Sequence, residues 1–265
     1  MRGPAAMPLA PLDPTRKAML KRTEHKRRAA AELVRQLERT LGLHRSRLAE
    51  DPASAADRLR LVEWQSARLR CTYSDLVTQP RYVKAVAFFL EELYGTKDFS
   101  KRDHDLERIS PIMVRMLPPQ VIDAVAKAME LNALSQELDN SLLTELRPIP
   151  ANGIREDDYA AAYLRCDNHS LRVVQIRLIG VLGRELDALV QKRFVAGTLH
   201  MMRRPAELAG FGEMQAFLES GFDALRALNG AAHFLDTVMR RERSILDRIY
   251  RGEPNPFDLG VQPLP

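Results

Sequence analysis

Apolar residues recur at steps of three and four along most of this chain, and no run of β-branched residues alternates with polar ones. A three-to-four period lines up one face of an α-helix, whereas a strand needs a period of two. Leu33, Leu37, Leu41, His44 and Leu48 make one stripe; Leu131, Leu134, Leu138 and Leu142 make another. Long stretches lack both Gly and Pro, and the 13 Gly fall mostly at segment ends, where they do not weaken helices. No repeat of fixed period is present. The expected fold is an all-α bundle of roughly eight to ten helices with no sheet.

Punctuation divides the stripes. A first helix is expected over 14–49, ended by Asp51-Pro52, and a second to Val77 with Ser54 and Asp57 as a capping box. Pro80 opens a third, stopped at Gly95, whose face holds Tyr82, Val83, Val86, Phe89, Leu90 and Leu93. This helix is expected at the centre of the bundle. Ser100 with Asp103 reads as a further cap, and Pro111 as a kink. Pro118-Pro119 starts a fifth helix, and 156–165 reads as a short one. Asn168 or Ser170 caps the helix after it. Arg203-Arg204-Pro205 is expected to break the chain again, before closing helices over 206–228 and 231–251 hinged at Asn229-Gly230. The domain reading is a flexible tail over 1–12 and one all-α domain over 13–251, with a possible subdivision at the 147–153 loop. A Pro-rich tail over 252–265 then drapes on the surface through Phe257 and Leu259.

Phe88 to Tyr94 spells FFLEELY. This resembles the signature of a family of bacterial proteins named after that motif, and all seven letters match. The continuation GTKDFSKRDHDLERISPIMVRMLP, residues 95–118, is similar in kind to the stretch after the motif in that family. The resemblance implies a bacterial source and a helical fold. It implies no activity, because the family is uncharacterised.

Charge is unevenly placed. Residues 13–47 hold eleven Lys and Arg against four acids, a net +7, while the whole chain carries +5. The remainder is therefore slightly acidic, and basic character belongs to the first helix. Two well-separated cysteines, Cys71 and Cys166, form no disulfide framework and read as reduced thiols of a cytoplasmic protein. No stretch of about 18 uninterrupted apolar residues is present to span a membrane. The run before Pro11 is too short and too broken by prolines for a signal peptide.

No catalytic or cofactor signature has the spacing it needs. A di-metal site in a bundle requires Glu three residues before His, and Arg22, Leu41, Lys101, Cys166, Gly197 and Gly230 precede the six histidines instead. Cys166 and His169 have a metal-like spacing but lack the further ligands that zinc requires. No metal or other cofactor is expected. Nucleophile elbows, phosphate loops and dinucleotide fingerprints are absent.

Two polar groupings remain. Tyr94, Lys97, Lys101, Arg102 and His104 gather at a helix junction, where free backbone N–H groups favour an anion or other small ligand. Asp98, Asp103 and Asp105 in the same stretch would oppose an anion. Lys21, Arg22, Lys26 and Arg27 form a basic surface suited to a partner protein or, weakly and without sequence preference, to polyanions. The expected function is therefore a non-catalytic helical interaction or scaffold protein using that basic helix. The alternative is a ligand-binding protein or enzyme with a pocket beside Tyr94 and His104.

Overall fold

The structure, a computed structural model, describes residues 13–89, 105, 108, 110, 114, 115 and 117–260. Among them it has ten helices and no strand. These are α1 Pro14–Leu48, α2 Pro52–Thr72, α3 Ser74–Val77, α4 Pro80–Phe88, α5 Pro119–Leu146, α6 Glu156–Arg165, α7 His169–Val190, α8 Arg193–Leu208, α9 Gly212–Ala227 and α10 Ala232–Tyr250.

Helix α5 is the most enclosed of the long helices. From Val121 to Asn140 none of its residues is exposed. Its apolar side chains Ile122, Leu134, Leu138, Leu142 and Leu143 are all buried. Its polar ones reach each neighbouring helix. Asp123 and Glu137 meet His25 and Arg39 of α1. Asp139 and Asn140 accept from Gln65 and Arg58 of α2, at 2.9 and 2.8 Å. Lys127 and Ser135 meet Glu185 and Gln175 of α7, at 2.9 and 2.8 Å. Burying a polar side chain without a hydrogen bond costs stability, and these pairs avoid that cost, whereas Asn132 Nδ2 and Gln136 Oε1 on the same helix are buried without a partner among the described residues. These pairs also set the register of the helices around it.

The central place was expected for the FFLEELY helix; of its motif only Phe88 and Phe89 are among the described residues, where α5 is the more enclosed helix. Tyr82, Ala85 and Val86 of α4 are buried, but Val83 is exposed and Phe89 only half-buried. Helix α4 lies against α9, where Phe88 packs over Gly221. Leu90, Leu93 and Tyr94 lie outside the described residues, as do the Ser100–Asp103 cap and Pro111.

Other expectations shift for local reasons. The stripe of α1 is buried through Ala29, Leu33 and Leu37, but Leu48 at the helix end is 73% exposed. Asp51, not Ser54, caps α2, its Oδ1 accepting from the N–H groups of Ala53 and Ser54 at 3.0 Å. The chain turns at Tyr73, so the expected second helix is two, α2 and α3. Asn168 precedes α7, yet its side chain makes no cap hydrogen bond. Leu171 of α7 and Leu218 of α9 are exposed.

Pro205 does not break the chain; it sits inside α8. The stop comes five residues later at Gly210, φ +83°. There the N–H of Gly210 bonds to the Glu207 carbonyl and that of Phe211 to the Ala206 carbonyl, at 3.1 and 2.7 Å, a Schellman closure. The 147–153 loop is present, and its Ile149 packs in one cluster with Leu142, Leu143 and Tyr159. Residues 252–260 are non-helical as expected, with Phe257 seated in the same cluster.

Candidate functional site

Helix α1 begins with Asp13, whose Oδ1 accepts from the Thr15 N–H at 3.3 Å, and has no acid in its first turn. Arg16, Lys17, Lys21, Arg22 and Arg27 are exposed and make no ion pair among the described residues. Met19 and Leu20 stand among them, 71% and 53% exposed. Beyond these turns three of the cations are engaged, while Arg45 near the helix end is exposed without an ion pair among the described residues. Arg28 pairs with Glu24 at 2.9 Å, Arg35 with Glu32 at 2.6 Å, and Arg39 with Glu137.

Of the four residues expected on this surface, Lys21, Arg22 and Arg27 are free in that sense and Lys26 is not. Lys26 is half-buried, and its Nζ donates to the Arg115 carbonyl at 3.0 Å. With His25 bonded to Asp123, it ties α1 down roughly three turns from the helix start. The free part of the basic surface is therefore smaller than the sequence suggests. Lys26 serves as a tether because its neighbours include a bare carbonyl, which sequence spacing does not reveal.

Tyr94, Lys97, Lys101, Arg102 and His104 lie outside the described residues. Beside them, Asp105 is buried and faces Arg108 at 3.8 Å.

A second region, which sequence spacing does not reveal, lies between α2, α5, α6, α7 and α10. Arg68 donates from Nη1 to Glu242 at 2.6 Å, and the Tyr73 hydroxyl donates to the same Oε1 at 2.8 Å. Gln65 donates to Asp139, and burial raises the Asp139 carboxyl above its ordinary value, opposed by Arg172 and Gln65. Arg172, itself buried, stands over the Tyr163 ring at 4.4 Å and donates to the Leu138 carbonyl at 3.3 Å. Arg241 grips Asp75 with both Nη atoms, at 2.7 and 2.8 Å, which lowers the Asp75 carboxyl.

Next to this layer the surface opens into a cleft of about 390 Å³, lined by α2, the first residue of α6 and the chain after α10. Trp64, Arg68, Glu156, Phe257 and Asp258 are among its walls. Trp64 stacks on Tyr159 with centroids 4.0 Å apart, and Phe257 meets both rings edge-on at 5.4 and 5.7 Å. The signals were visible singly: the sole tryptophan, an apolar residue in a Pro-rich tail and a helix-opening acid. Nothing in their spacing joins residues 64, 156 and 257. Among the described residues no group of three or more His, Cys, Asp or Glu could hold a metal ion. Nor is any described helix long and apolar enough to cross a membrane.

A family model described as a domain of unknown function, DUF8198, matches residues 44–256. The chain belongs to that family. The matched stretch runs from the last turns of α1 to Pro256, so it takes in Trp64, Arg68 and Glu156 but not the cations of residues 16–28. No curated protein and no solved structure matches the chain.

Proposed function

We propose that the protein is a non-catalytic helical interaction protein that docks on an anionic partner surface through the first turns of α1. The observation that carries this reading is the set Arg16, Lys17, Lys21, Arg22 and Arg27. All five are exposed and without an ion pair among the described residues, on a helix anchored beside them by His25 and Lys26. Clustered unpaired cations raise the local potential and steer anionic partners, while exposed Met19 and Leu20 add apolar contact. These turns precede the stretch that the family model matches. The FFLEELY resemblance supports a bacterial source, and the free Cys71 and Cys166 support a reducing, cytoplasmic setting.

Heparin serves as the anionic probe, with binding followed from low to physiological salt. Binding is expected to weaken steeply with salt, because the Debye length shrinks to about 8 Å. The double variant Arg22→Glu, Arg27→Glu should weaken it at least about tenfold and leave the fold intact, since exposed charges contribute little to stability. Lys26 is left in place because its ammonium caps the Arg115 carbonyl. Absence of binding by the unaltered protein at low salt, or an affinity indifferent to salt, refutes the electrostatic reading.

A further inference from the structure

We infer that the Trp64 cleft is a binding site for a small organic cation, of the alkylated or quaternary ammonium class. The three ring separations decide what the cleft offers. Tyr159 covers one face of the Trp64 indole at 4.0 Å. Phe257 is nearly equidistant from both rings, at 5.4 and 5.7 Å, so it lies beside the stack and not over the outer indole face. That face is left uncovered by both neighbours, and Trp64 lines the cleft. An indole face carries the negative side of the ring quadrupole and is the strongest aromatic partner for a cation.

Charge in the walls has the same sign of preference. Among the described residues the cleft is lined by one cation, Arg68, and Glu242 neutralises it at 2.6 Å. It contains two carboxylates, Glu156 and Asp258, both exposed and neither in an ion pair among the described residues. The Asp258 carboxylate accepts the Gly260 N–H at 2.9 Å through Oδ1, and its second oxygen has no partner among the described residues. A matched Arg68 and two unmatched acids leave the cleft net negative within a protein of net positive charge. The volume of about 390 Å³ falls in the range of small-molecule sites. Phe257, Leu259 and Ala67 supply apolar walls for alkyl groups. An inorganic cation would gain little from the rings, and an anion would meet the two acids.

The site carries its own reporters, because Trp64 is the only tryptophan and Cys71 lines the same cleft. Choline is titrated into the full chain while Trp64 fluorescence and the alkylation rate of Cys71 are followed. Its neutral carbon isostere, 3,3-dimethylbutanol, is titrated in parallel. A saturable fluorescence change with slower alkylation is expected for choline, with binding about tenfold weaker for the isostere, the scale of a desolvated cation–π contact. Glu156→Gln with Asp258→Asn should weaken choline several-fold and leave thermal unfolding unchanged. Three outcomes overturn the inference: no saturable change in either reporter, equal binding of choline and isostere, or a double variant that binds choline as the unaltered protein does.

Discussion

Gly180 and Gly183 lie inside α7, where a three-residue spacing turns both toward α10, and replacing each by Ala separates two kinds of close packing. An added Cβ at Gly183 falls 2.8 Å from Leu235 Cδ1 and closer still to Cδ2. Leu235 is 1% exposed and clustered with Leu228, Phe234 and Ala231, so it has no open space to move into. Such overpacking costs about 1–3 kcal/mol. Removing a helix-interior glycine returns about 0.5–1 kcal/mol. The balance is about 0–2.5 kcal/mol, and because Leu235 has no room to move, Gly183→Ala should fall in the upper part of it, destabilising by about 1–2 kcal/mol. At Gly180 the clash is with the Sδ and Cε of Met239, the flexible end of a half-buried side chain. A methionine relocates cheaply, so Gly180→Ala should stay within about 0.5 kcal/mol of the parent. Urea denaturation followed by far-UV circular dichroism measures both. For an m-value near 3 kcal/mol/M, the Gly183 variant should lose about 0.5 M in midpoint. A Gly183→Ala protein as stable as the parent, or a Gly180→Ala protein that is worse, refutes the reasoning. The helices would then have room to part, and their contact would not be set by the glycines.

The same packing sets three other outcomes. Asp139 is held above its ordinary value by burial, so between the unfolded and folded values the folded chain keeps a proton that the unfolded chain has lost, and stability falls as pH rises through that window. Asp139→Asn should abolish this component of the pH dependence and be at least as stable as the parent at neutral pH; a loss above about 1 kcal/mol there would mean that ionised Asp139 stabilises the fold through Arg172. Leu142, fully buried on α5, should cost about 2–5 kcal/mol as Leu142→Ala, and the half-buried Phe89 should cost less than that as Phe89→Ala. The reverse order in chemical denaturation would place the FFLEELY helix at the centre. Phe257→Ala should cost about 3 kcal/mol or more, and Trp64 emission should shift to the red as water reaches the ring stack; an unshifted spectrum would mean that the chain after α10 does not shield it.

The all-helical class, the helix at 156–165, the 147–153 loop and the hinge at Asn229-Gly230 could be read from the chain alone. Each depends on neighbours in sequence: a three-to-four apolar period, a proline without an N–H, or a glycine free to take positive φ. Asn229 and Gly230 indeed have φ of +48° and +101°. Local rules misled where the rest of the fold supplied the missing group. Pro205 looked like a break, yet it is accommodated within α8, and Gly210, just past the helix end, makes the closure instead.

Position in the bundle was the tertiary structure's to decide. Helix α5 has a modest apolar stripe, and only its many polar pairs to α1, α2 and α7 show that it is enclosed. The same holds for the basic surface: its location was legible as charge density, but spacing could not distinguish the tethered Lys26 from the free Arg22. The Trp64 cleft draws on residues 64, 156 and 257, each far from the next along the chain. A period in sequence records which face of an element is apolar, while which faces meet depends on long-range packing that no local spacing encodes.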